Sequence, residues 1–107
     1  MQSKVDLMNC EEQVARLQAA GWKARGLPGF MGTAGPLWTR READGWGYGL
    51  LADAKHLNAQ GVVHGGSLLT LLDHAISTVA WEASDRMPCV TLQLDTHFLA
   101  AVSKGAF

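Results

Sequence analysis

Residues 65–83, GGSLLTLLDHAISTVAWEA, are the feature of this 107-residue chain that most restricts its fold. Polar breaks at Thr70, Asp73, His74, Ser77 and Thr78 make the stretch too short and too polar to span a membrane. The spacing instead predicts one long helix from Gly65 to Ala83. At about 100° per residue, Leu68, Leu69, Leu71, Leu72, Ala75, Ile76, Val79 and Ala80 form a broad apolar stripe. Ser67, Thr70, His74 and Ser77 form the polar side, and Asp73 falls at the border. A stripe that wide must be covered, and a chain this short buries only about 60–70% of its unfolded surface in a single core.

The covering elements are read on either side of the helix. Residues 4–20 predict an amphipathic helix, with Cys10, Val14, Leu17 and Gly21 at i, i+4, i+7 spacing, Met8 and Val5 extending the stripe, and Gly21 as the stop. GLPGFMGTAGP (26–36) has loop composition, with Phe30 and Met31 as an apolar tip suited to a lid or a subunit contact. PLWTRREADGWGYGLLADA predicts a hairpin turning at Asp44-Gly45. Its return strand alternates Trp46, Tyr48 and Leu50 with Gly47 and Gly49, so something large is expected against the glycine face. MPCVTLQLDTHFLA alternates at period two, Val90, Leu92, Leu94 and Phe98 against Thr91, Gln93, Asp95 and His97, and predicts a strand after the helix. Helix, hairpin, helix, strand favours an antiparallel α+β sheet wrapped on a helix over a doubly wound parallel one.

Charge and cysteine usage remove several function classes. Nine Lys/Arg against ten Asp/Glu, with no basic stripe, leave no electrostatic footprint for nucleic acid. His56, His64, His74 and His97 fall at no metal-ligand spacing, and no metal or cofactor is expected. Without an apolar leader at MQSKVDLMNCEEQ, the expectation is a cytoplasmic protein in which Cys10 and Cys89 are two buried free thiols.

Chemistry concentrates in NAQGVVHGGSLLTLLD (58–73). A helix start leaves backbone N–H groups unpaired at the positive end of the helix dipole. Glycine there lets a ligand oxygen come close, so Gly65 and Gly66 suit a carbonyl that becomes an oxyanion. Two glycines equally allow a tight loop-to-helix turn. Asp73, with a partly apolar shell at the stripe border, has the setting of a general base, though a solvated surface aspartate fits the same position. Asn58 and His64, in the loop before the helix, can hydrogen-bond a ligand or satisfy the loop backbone. A serine hydrolase is excluded by the absence of a G-x-S-x-G elbow.

Taken together, Asn58, Gly61, His64, Gly65, Gly66 and Asp73, nine positions after the histidine, resemble the PaaI-type (phenylacetate-pathway) acyl-CoA thioesterases of the hotdog fold. GPLW (35–38) is similar to the lead-in to that family's first strand, HLN (56–58) to its loop, and VTLQLDTHFLAA to the strand after its central helix. The resemblance implies hydrolysis of an acyl-CoA thioester to free acid and CoA. Asp73 would act as nucleophile or as base on water. The Gly65 N–H would polarise the carbonyl, Asn58 and His64 would position water and thioester, and Gly66 and Thr91 would contribute to substrate binding. It also implies a homodimer or homotetramer with each site shared between subunits, and no cofactor.

The expected layout is an N-terminal helix in 1–25 and a partial hotdog domain in 26–107. The sequence stops at SKGAF without closing an element, so the sheet reads as truncated after its third strand, as in a fragment of a longer protein. The alternative function is a non-catalytic hotdog module that binds acyl-CoA or only oligomerises.

Overall fold

Leu37, Trp38, Thr39, Ala52, His56 and Val63 are the buried residues other than glycine in a computed structural model that describes residues 10–107. They come from one strand and from the loop leading to the long helix. The core therefore lies at the base of the sheet, under that loop. Among the described residues the order is α1 (Cys10–Ala19), β1 (Lys23–Arg25), α2 (Phe30–Ala34), β2 (Leu37–Glu42), β3 (Gly45–Gly49), a 3₁₀ turn (Ala54–His56) and α3 (Gly65–Ala83). The three strands form one antiparallel sheet in the order β1-β2-β3. This is a small α+β fold with a long helix following the sheet.

The expected hairpin forms, with Glu42 opposite Gly45, so the two-residue connection is Ala43-Asp44, one position earlier than the dipeptide signal. Gly45, at φ 144°, absorbs the turn at the start of β3. The glycine face of β3 is occupied, as its composition required. A Cβ on Gly47 would stand 3.0 Å from Trp22 Cη2, and one on Gly49 would run into the Phe107 ring. Phe107 packs edge-on against Trp22 at 4.8 Å and Trp38 at 6.4 Å between centroids, geometries that aromatic pairs favour.

Helix α3 runs over the expected residues, Gly65–Ala83. Its stripe is divided. Leu68 and Leu71 line a cavity of about 370 Å³ with Tyr48, Gly49 and Phe107, whereas Leu72, Ile76 and Val79 are 40%, 48% and 55% exposed on the outer side. The N-terminal helix is present as Cys10–Ala19; the expected start at residue 4, with Val5 and Met8, lies outside the described residues.

Three sequence expectations are corrected. Residues 87–100 form no strand: Val90, Leu92 and Leu99 are 84%, 95% and 93% exposed. Alternation records which face a strand would bury, but a ladder needs a neighbouring edge, and none among the described residues bonds to this segment. The sheet's third strand is instead β1, read from the sequence as part of the N-terminal segment. Chain beyond residue 100 bonds to loops: Val63 N–H donates to Val102 O (2.8 Å) and Ala52 N–H to Ala106 O (2.9 Å). Second, the glycine-rich stretch 26–36 contains the single-turn helix α2, whose Phe30 is exposed as an apolar tip. Third, Cys89 is free but exposed rather than buried.

Candidate functional site

The loop before α3 is shaped by its own polar groups. Asn58 Oδ1 accepts from Gln60 N–H (2.9 Å) and Val62 N–H (3.3 Å), while Asn58 N–H donates to Val62 O (2.7 Å). The amide oxygen of Asn58 is thus committed to the loop, as Asx residues commonly are. A second clamp holds the loop to the C-terminal end of α2. His56, 2% exposed, accepts from Asp53 N–H at Nδ1 (3.0 Å), which places its proton on Nε2 to donate to Ala34 O (2.6 Å). Its carbonyl receives His64 N–H at 2.7 Å. The sequence carried a sign of this in Asp53 followed three positions later by a residue able to return the bond.

His64 is the N-cap of α3. Its backbone is extended (φ −62°, ψ 131°), and its Nδ1 accepts from Gly66 N–H at 2.8 Å. In the neutral ring Nε2 then carries the proton, and the residue is exposed. Gly66 N–H is consumed by this cap. The neighbouring Gly65 N–H, at the first helical position, meets no backbone acceptor among the described residues. Beside it stands Phe98, whose Cζ would be 3.0 Å from a Cβ placed on Gly65. Phe98, Gly65, Val63, Leu68, Leu99 and Val102 line a cavity of about 400 Å³.

Asp73 is exposed on the outer side of α3, near the apolar row of Leu72, Ile76 and Val79. Thr91 reaches the same helix: its Oγ1 is 3.2 Å from Ser77 Oγ, one turn after Asp73. The expected residues therefore fall into two groups. Asn58, His64, Gly65 and Gly66 meet at the helix start, and Asp73 and Thr91 lie further along the helix. Asp73 lies eight positions after Gly65, about 12 Å of helix axis at 1.5 Å per residue. One copy of the chain does not bring the carboxylate to the Gly65 N–H.

A second polar region lies between the sheet and the C-terminal half of α3. Tyr48, His74, Thr78, Glu82, Trp46 and Trp81 help line a cavity of about 630 Å³. Burial, reinforced by the nearby Glu82 carboxylate, pushes the Tyr48 phenol above its ordinary 10.0. Among the described residues, no cluster of three His, Cys, Asp or Glu could hold a metal ion, and no helix is long and apolar enough to cross a membrane.

The arrangement defines a class: a small α+β domain whose longest helix begins at a glycine with an available N–H beside an apolar cavity. Residues 60–106 match the family model of the thioesterase superfamily, a span that holds the His64-Gly65-Gly66 junction, all of α3 and the cavity walls. The match supports a thioesterase-superfamily domain over those residues. No curated protein and no solved structure matches the chain.

Proposed function

We propose that the protein hydrolyses acyl-CoA thioesters, as a PaaI-type hotdog domain in residues 26–107 that works as a homodimer or homotetramer. The observation that carries this reading is the division of labour at the helix start. His64 takes the Gly66 N–H and leaves the Gly65 N–H directed out of the helix at its positive end. A thioester carbonyl oxygen accepting from Gly65 N–H gains most as it becomes the oxyanion of the tetrahedral intermediate. The His64 Nε2–H and the amide NH₂ of Asn58 are the remaining donors that can orient thioester and water.

Asp73 supplies the other half from a second copy, either by taking a proton from attacking water or by attacking the carbonyl itself. Water adds to the carbonyl carbon, the C–S bond breaks, and the CoA thiolate takes up a proton, leaving the free acid. The 12 Å offset between Gly65 and Asp73 within one chain supports a shared site. So does the exposed row Leu72, Ile76, Val79 beside the carboxylate, since an apolar face of this kind marks an interaction surface. Thr91, whose Oγ1 is 3.2 Å from Ser77 Oγ one turn after Asp73, is the further residue we assign to substrate binding.

The test is thiol release from a panel of acyl-CoAs by the purified chain, with its oligomeric state measured alongside. Turnover that is lost in Asp73→Ala is the expected result. Undiminished turnover in Asp73→Ala would remove the mechanism. A folded oligomer silent across the panel would leave a binding module rather than an enzyme.

A further inference from the structure

We propose that the cavity walled by Val63, Gly65, Leu68, Phe98, Leu99 and Val102 is the acyl site, that it selects uncharged monocarboxylic acyl groups, and that Phe98 sets their length. This inference rests on the thioesterase reading and adds its substrate class. The first observation is continuity: Gly65, which offers the carbonyl its N–H, is itself part of the cavity wall. A carbonyl held there directs its acyl chain along the same wall. The second is chemistry. Every side chain on the wall is apolar, with no charged or hydrogen-bonding group among them. An acyl group ending in a carboxylate would lie against apolar side chains there and find no cationic or hydrogen-bonding side chain to pair with. The third is size. About 400 Å³ lies at the small end of ligand sites, which begin near 300 Å³, enough for an acyl chain but not for the whole of CoA.

Phe98 is the adjustable wall. Its ring stands against Gly65, yet the residue is 54% exposed and is held by no ladder of backbone bonds. A ring in that position limits how far a chain can extend beyond the carbonyl. Truncating it opens the wall, and leucine opens it partly.

The experiment measures kcat/KM for acetyl-, butyryl-, hexanoyl-, octanoyl- and succinyl-CoA with the full chain and with Phe98→Ala and Phe98→Leu. For the parent chain, kcat/KM should rise about fourfold per buried methylene until the cavity is filled. Succinyl-CoA should fall roughly a hundredfold or more below butyryl-CoA. Phe98→Ala should move the optimum to longer chains, with Phe98→Leu between the two; the leucine variant keeps the test readable if the alanine variant folds poorly. Hydrolysis with a flat chain-length profile, with succinyl-CoA equal to butyryl-CoA, or with parent length ratios in both variants would overturn the acyl-site assignment while leaving thioester hydrolysis standing. Silence toward every acyl-CoA by the folded chain would overturn both.

Discussion

Gly65→Pro removes one hydrogen from the site and little else. Gly65 is the first residue of α3, the helical position where proline is best tolerated because its missing N–H would be unpaired anyway. It is not one of the positive-φ glycines, so the ring's fixed φ meets no conflict there. The residue before a proline must be extended, and His64 already is, at φ −62° and ψ 131°. The added ring needs the exposed Phe98 side chain to yield by a few tenths of an ångström, since a Cβ would stand 3.0 Å from its Cζ. Gly65→Ala makes the same demand at Cβ and keeps the N–H. Both variants should stay within about 1 kcal/mol of the parent in urea unfolding. In thiol-release assays, Gly65→Ala should keep most of its kcat, whereas Gly65→Pro should lose about 10²–10³-fold, the usual cost of one oxyanion donor. Equal kcat in the two variants would show that the Gly65 N–H takes no part in the chemistry.

Other residues give separable outcomes. His56→Ala removes the partner of the half-buried Ala34 carbonyl and of the Asp53 N–H and empties a buried side-chain position, and should cost about 1–3 kcal/mol in chemical denaturation. Asn58→Asp keeps the acceptor for Gln60 and Val62 N–H but loses the NH₂; native stability with reduced kcat would assign the amide to the substrate, and unchanged kcat would assign Asn58 to the loop alone. The Tyr48 phenol, raised by burial and by Glu82, stays neutral in the folded chain when the unfolded chain has begun to ionise. Its contribution is complete below pH 10.0 and fades as pH climbs through the raised folded value, so Tyr48→Phe should flatten the alkaline loss of stability in pH-dependent melts.

The sequence was most legible where one pattern has one meaning. A stripe at helical spacing after His-Gly-Gly marked the approximate extent of α3, and alternating glycines in β3 announced something large on that face, which the structure fills with the rings of Trp22 and Phe107. The junction of Asn58, His64 and Gly65 was visible because a helix start combines glycine, a capping side chain and polar loop residues within a few positions. Residues 87–100 misled because alternation specifies faces and leaves the partner edge unspecified. β1 went unread because three residues, all exposed, carry too little pattern, and only pairing with β2 makes them a strand. Phe98 was read as one apolar residue of a strand face; its place against Gly65 depends on the path of the chain after α3. The roles of Asn58 and His64 as internal acceptors likewise follow from loop geometry rather than residue type.

In the proposed mechanism, Gly65 of one copy works with Asp73 of another. Asp73→Asn and Gly65→Pro, each inactive alone, should be mixed, exchanged through reversible unfolding, and assayed for thiol release once mixed oligomers are shown by mass. In a mixed dimer, one of the two sites pairs an intact glycine with an intact aspartate, so random assortment should restore roughly a quarter of parent activity. Mixed oligomers that remain as inactive as either variant would contradict a site shared between copies.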